Sequence, residues 1–250
     1  MSPEQRFRST SQLFKAVRKD AKAGRKRDYV TDGQEFIPLQ HVEVRPEFKS
    51  KVPDIRSLIC TNHHTRPFLE RRFPTTTREL FRDMAVVSVA TQAFTQRRMT
   101  WYAAELPGRF FGVIPRPDHA LQRAAMFCYE MISVNDKKAS MLNAYRTLRR
   151  GWNLGAFPEA ANGMELNYHT DFPANIKLLQ AVSEKTEEPT QIIPVSIFNE
   201  GNVYRVIFNE PIPVELSEEP EYPVILVRET MRRIAMHLPP HLQGIYRGKI

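Results

Sequence analysis

At 250 residues, with 42% apolar and 26% charged residues, the chain is long enough to bury a sizeable core and too ordinary in composition for wholesale disorder. Its formal charge of +8 is uneven, because residues 1–30 hold nine basic groups against Glu4, Asp20 and Asp28 and so carry +6 of it. No uncharged stretch approaches the ~20 residues needed to cross a bilayer, the N-terminus lacks the apolar core of a secretory signal, and Cys60 and Cys128 have no partner at metal spacing.

These features predict a cytoplasmic protein, soluble or peripheral on the cytoplasmic face of a membrane, with two buried free thiols and no metal site. In chain order, residues 11–18 (SQLFKAVR) read as a short amphipathic helix with Leu13, Phe14 and Val17 on one side. Residues 1–30 are accordingly set apart as a basic amphipathic or flexible segment, which either lies on an anionic membrane surface or is solvated. Residues 29–56 read as loop and edge strand, and residues 55–60 as a buried strand ending in a polar turn. Residues 80–96 are helix-like and residues 99–104 form a second strand. Residues 119–150 are the clearest helical stretch, stopped by Arg149-Arg150-Gly151. A strand over 154–157, a helix over 172–185, a strand pair over 191–198 and 203–208, and a final helix over 223–237 complete the pattern. Strands alternating with helices predict an α/β fold, one domain over 31–250 with a mixed central sheet covered by helices.

Four short strings stand out by their order: Cys60-Thr-Asn-His-His-Thr65, Phe111-Gly-Val-Ile-Pro-Arg116, Gly155-Ala-Phe-Pro-Glu-Ala160 and Ile192-Ile-Pro-Val-Ser-Ile197. Three follow or form an apolar run, the pattern of a strand delivering polar groups at its end, where α/β proteins build sites. Together they resemble the blocks of the glycerolipid acyltransferase superfamily, which acylates glycerol phosphate and lysophospholipids. Asn62, His63 and Thr65 match its Asn-His-x-Ser string, and Phe157, Pro158 and Glu159 match its Phe-Pro-Glu-Gly string. Arg116 falls where the second block carries a phosphate-binding Arg, and Ile193-Pro194-Val195 resembles the fourth block. The resemblance covers roughly residues 55–200.

The resemblance implies transfer of a fatty acyl group from acyl-CoA or acyl-carrier protein to a glycerol-phosphate or lysophospholipid hydroxyl, with no metal or organic cofactor. Such a transfer needs a base for the hydroxyl proton, a group that orients the base, and donors for the oxyanion. By resemblance, His63 is the base, Arg116 holds the acceptor phosphate through its planar fork, and Glu159 contacts the acceptor glycerol. Asn62, Thr65, Phe157 and Pro158 frame the substrate. The chain departs from the family in three places. Phe68 occupies the position of the acid that should pair with His63, Ala160 replaces a Gly, and Ala161-Asn162-Gly163 replaces Thr-Arg-Ser. Glu70 is the nearest acid to His63; the alternatives are His64 as base, an acid from elsewhere such as Asp54 or Asp83, or a lost dyad. Arg109 and Arg123 are substitutes for Arg116, and Lys177 faces either the site or solvent.

Two competing readings follow from these departures and from the charge. One is a catalytically impaired relative that binds lysolipid or phosphate. The other is a nucleic-acid binder acting through residues 1–30, although that segment has few aromatics for stacking and matches no recognised module. The lipid reading expects no nucleic acid, and gives the basic segment an anionic membrane or an acyl-carrier protein as its partner.

Overall fold

The computed structural model describes residues 10–36, 42–46, 54–62, 77–92, 94–103, 109–110, 114–115, 119–158, 166, 172–200 and 203–249. They form a mixed sheet with helices on both faces. The first strands and helices are α1 (Thr10–Lys22), α2 (Tyr29–Phe36), β1 (Val42–Pro46), β2 (Arg56–Thr61), α3 (Thr77–Gln92) and β3 (Met99–Ala103). A two-stranded ribbon, β4 (Arg109–Phe110) and β5 (Ile114–Pro115), precedes α4 (His119–Cys128), β6 (Ile132–Ser133), α5 (Lys137–Arg149) and β7 (Asn153–Ala156). The chain ends with α6 (Ala174–Thr186), β8 (Thr190–Glu200), β9 (Val203–Phe208), β10 (Ile212–Val214), α7 (Tyr222–Met236) and two short 3-10 turns.

The main sheet runs β1-β9-β8-β2-β7-β3-β6, with β10 also on β8. Its centre is parallel: β8, β2, β7, β3 and β6 all point one way, while β9 and β10 run antiparallel to β8. Parallel strands are covered on both faces, which is why β2 (RSLICT) and most of β8 read as continuous buried runs rather than alternating ones. Alternate residues still go to opposite faces. Ile59, Met99, Trp101, Ile193, Val195 and Ile197 join a core shared with α1, α3 and α4. Leu58, Cys60, Leu154, Ala156 and Ile192 join a second core under α5, α6 and α7. The two thiols are divided between these cores, Cys128 in the first and Cys60 in the second, and burial pushes both upward from the ordinary thiol range.

Within the basic segment set apart over residues 1–30, the structure describes the chain from Thr10. Leu13 and Val17 are fully buried in the first core, so from Thr10 onward the chain is part of the fold. Polar contacts fasten it. Arg27 donates to both carboxylate oxygens of Asp32, at 2.5 and 2.6 Å, and also pairs with Asp20, while the Tyr129 hydroxyl donates to Asp32 at 2.6 Å. The Arg27 N–H bonds the Cys128 carbonyl at 2.8 Å, tying this segment to the end of α4. Arg27 and Asp32 are nearly inaccessible, and such a buried pair tolerates its desolvation because each partner is fully engaged. The cations of α1 (Lys15, Arg18, Lys19 and Lys22) remain exposed on the opposite side.

Three elements differ from the sequence expectation. Residues 29–36 are helical because the Asp28 carboxylate caps the Thr31 N–H at 2.7 Å. Gly33, which argues against a helix on propensity, is needed there: a Cβ would come within 2.8 Å of Val89 Cγ2 on α3. The stretch 119–150 is two helices split by β6, with Glu130 at φ 53° making the turn and Asp136 capping α5 through the Ala139 N–H at 3.0 Å. The short strand β10 lay in a stretch where no strand was expected. The stop at Gly151 is as expected, with φ 83° beyond the end of α5.

Candidate functional site

The site begins with register. Cys60 lies beside Ala156 of β7 and beside Pro194 of β8, and Trp101 of β3 lies beside Gly155. The carboxyl ends of β8, β2, β7 and β3 are therefore side by side, the edge at which open α/β sheets place ligands. Asn62-His63 continues directly from β2, Phe157-Pro158-Glu159 from β7, and the fourth string lies within β8 itself.

Asn62 is 3% exposed, and both polar ends of its side chain meet β8: Nδ2 donates to the Ile197 carbonyl at 2.7 Å, and the Ile197 N–H donates to Oδ1 at 2.8 Å. Strand pairing of β2 ends one residue earlier, at Thr61 beside Val195. The amide of Asn62 thus stands in for one more residue of ladder and fixes the direction in which the chain leaves the sheet. Its side chain is turned into the sheet, toward β8.

Phe157 and Pro158 follow β7. Phe157 stacks on Trp101, ring centroids 5.2 Å apart, and packs against the first core. Trp101 is fully buried and its indole N–H donates to Ser88 Oγ of α3 at 2.8 Å. The indole crosses β7 at Gly155, where a Cβ would stand 2.4 Å from Trp101 Cδ2. Gly155, Trp101 and Phe157 therefore form a fixed floor beneath the strand ends, and Phe157 acts here as a packing residue. Pro158 is buried beside it. Trp101 was not singled out from the sequence; the available signal was a Trp at mid-strand opposite the Gly of the third string.

His63, His64, Thr65, Glu70, Phe68, Arg116 and Glu159 lie outside the described residues, and so do the side chain of Arg109 and the replacement segment 160–163. The described alternatives to Glu70 are engaged elsewhere. Asp54 precedes β2 and holds Arg97 at 3.2 Å, at the opposite end of a strand roughly 20 Å long. Asp83 is 4% exposed on α3, and its charge, with that of Asp32, adds to burial in holding the Tyr29 hydroxyl well above its usual range. Arg123 is exposed on α4, and Lys177 is exposed on α6. Cys60, at the strand end, is fully buried, and burial pushes its thiol up from the ordinary range, the opposite of what activates a cysteine nucleophile. Among the described residues no cluster of three or more His, Cys, Asp or Glu side chains could hold a metal ion, and no helix is long and apolar enough to cross a membrane.

No family model matches the sequence, and no curated protein matches it. Among solved structures the chain is similar to the crystal structure of the 1-acyl-sn-glycerophosphate (LPA) acyltransferase PlsC from Thermotoga maritima. The two share 16% identity over 90% of this chain and 80% of that one, with a TM-score of 0.44. A likeness at this level concerns the backbone and says nothing of the reaction.

Proposed function

We propose that this protein is an acyltransferase that moves a fatty acyl group from acyl-CoA or acyl-carrier protein to the hydroxyl of glycerol phosphate or a lysophospholipid. One observation carries the reading: the strings that resemble the family's first, third and fourth blocks belong to three adjacent parallel strands, aligned at Cys60, Ala156 and Pro194. That edge is where open α/β sheets bind ligands, so the alignment supports one site drawing on all three strings.

In this reading His63 takes the proton of the acceptor hydroxyl, which attacks the thioester carbonyl carbon. The carbon–sulfur bond then breaks, and the leaving thiolate takes a proton from the imidazolium. Glu70 holds the imidazole in its reactive tautomer, Thr65 lines the turn, Arg116 binds the acceptor phosphate and Glu159 orients the glycerol. Asn62 is a positioning residue, holding the strand end from which His63 departs. No metal or organic cofactor takes part. The α1 cations give the protein an electrostatic hold on a cytoplasmic anionic membrane or on an acidic carrier protein. Because Leu13 and Val17 are already buried in the core, that hold involves no insertion of the helix's apolar face.

The test is acyl transfer to lysophosphatidic acid and to glycerol 3-phosphate. Wild type is expected to turn over, and His63→Ala to lose about 10²-fold or more, the size of a missing general base. Glu70→Ala reports whether the displaced acid orients it. Wild type that binds lysolipid yet transfers from no thioester would replace this reading with that of a binding protein.

A further inference from the structure

Helix α5 is the second basic helix of the protein, and it lies on the opposite face of the sheet from α1. Ala144 and Leu148 anchor it in the second core, and Met141 and Tyr145 pack partly against that core. Its outward face is different in kind. At helical spacing Lys138, Leu142, Arg146 and Arg149 form one exposed stripe, about 16 Å long at ~1.5 Å per residue. Leu142 stands near its middle, 47% exposed, with a cation one turn before it and another one turn after it.

Residues 137–150 contain no acid, and Lys138, Arg146 and Arg150 form no ion pair among the described residues. A solvated helix face ordinarily mixes both signs, because pairs at i and i+4 support the helix. Lys138 also stands in the first turn, where its charge opposes the helix dipole. Helix stability therefore does not account for the stripe. A cationic row around an exposed Leu is complementary to an acidic partner that offers an apolar spot of its own.

The position of α5 narrows the partner. Strands β6, β3, β7 and β2 are parallel and end at one edge of the sheet, and α5 opens from β6 at that edge, after the Asp136 cap. β6 lies three strand spacings from β2, about 14 Å. A protein docked along α5 is thus close enough to the strand ends for an extended thioester arm to reach them. We propose that the outward face of α5 docks an acyl-carrier protein, with Lys138, Arg146 and Arg149 meeting carboxylates on one acidic helix and Leu142 meeting its apolar spot. This rests on the acyltransferase reading and deepens it, giving the carrier a surface of its own and leaving α1, across the sheet, to a membrane. One Leu on a narrow stripe fits a single helix, whereas a bilayer holds a helix through a wide apolar face.

The experiment measures initial rates for the full chain with palmitoyl-carrier protein and with palmitoyl-CoA. Binding of fluorescently labelled palmitoyl-carrier protein is followed by anisotropy, which needs no turnover. Wild type is compared with Lys138→Glu/Arg146→Glu on α5 and with Lys15→Glu/Lys19→Glu on α1, with thermal melting alongside. The α5 variant is expected to raise KM and Kd for the carrier about tenfold, with kcat and the KM for palmitoyl-CoA held within about twofold. Added salt should weaken carrier binding by wild type and leave that of the α5 variant nearly unchanged. Lys138→Glu alone should melt level with wild type or higher, since an acid suits the first turn, so its share of the loss is not unfolding. The α1 variant should bind the carrier as wild type does. An unchanged carrier Kd in the α5 variant, an equal rise in its KM for palmitoyl-CoA, or an equal loss in the α1 variant would each overturn the docking face while leaving acyl transfer in place. An α5 variant that loses only its binding to phosphatidylglycerol vesicles would give the face to a membrane and overturn it too. Transfer from neither donor, with the carrier still bound through α5, would overturn the acyltransferase reading and keep the docking face.

Discussion

Asn62 and Ile197 exchange two hydrogen bonds, at 2.7 and 2.8 Å, so that a side chain completes the ladder where β2 stops pairing. Asn62→Ala leaves a buried N–H and a buried carbonyl of β8 unpaired. The expected loss is about 2–3 kcal/mol of stability, measured by urea unfolding. If His63 is the base, the same variant also lowers kcat with little change in KM. A variant as stable as wild type would show that the β8 groups find other partners.

Gly155 has no room for a methyl group, because Trp101 passes within 2.4 Å of where its Cβ would be. Gly155→Ala is expected to cost about 1–3 kcal/mol, in the manner of an overpacked core. The near-ultraviolet circular dichroism of Trp101 should change with it, as the indole leaves Phe157 and Ser88. Trp101→Leu in the same chain should return part of the loss, since the two residues are in contact and their effects are not additive.

Docking of α1 is tested by its buried and exposed faces separately. Leu13→Ala is expected to destabilise the whole protein by about 2–4 kcal/mol, the cost of a cavity in a core. Lys19→Ala, on the exposed side, should fall within about 0.5 kcal/mol of wild type. Equal melting of wild type and Leu13→Ala would mean that α1 stands apart from the folding unit.

Acid sensitivity has one identifiable source in α7. Glu229 accepts from Arg232 at 2.8 and 2.9 Å and from Arg233 at 2.6 Å, and these bonds bring its carboxyl down to about 2. A carboxyl depressed in the folded state adds stability above its unfolded pKa, and loses it as pH falls through the folded one. The contribution is therefore complete above about pH 4.5 and gone near pH 2. Glu229→Gln should flatten the stability profile across that window and leave its shape between pH 6 and 8 unchanged, as followed by denaturant midpoints at each pH. A parallel decline in both proteins would assign the acid response to other groups.

The sheet and its site were readable from the sequence to different depths. The central strands showed themselves as short apolar runs bounded by Pro, Gly and polar turns, and the parallel arrangement explains why those runs did not alternate. The helix over 29–36 was hidden because Gly33 lowers helical propensity, and the reason for it, the close passage of Val89, is a tertiary contact. The same applies to α1. Its three apolar residues read as facing a membrane or solvent, yet Leu13 and Val17 are buried completely, helped by an Arg27–Asp32 pair that reads as surface charge in one dimension. At the site, residue type was visible and direction was not. Asn62 and Phe157 stand at the expected strand ends, but one faces β8 and the other faces Trp101.

The division of Cys128 and Cys60 between the two cores has a practical consequence. The sheet insulates one layer of helices from the other, and each layer carries its own inaccessible thiol. Alkylation under native conditions would therefore proceed only through transient opening, with Cys128 timing the layer that contains α1 and α4 and Cys60 timing the layer of α5, α6 and α7. Equal labelling rates would mark the two layers as one cooperative unit, and unequal rates would rank them by local stability, without any added probe.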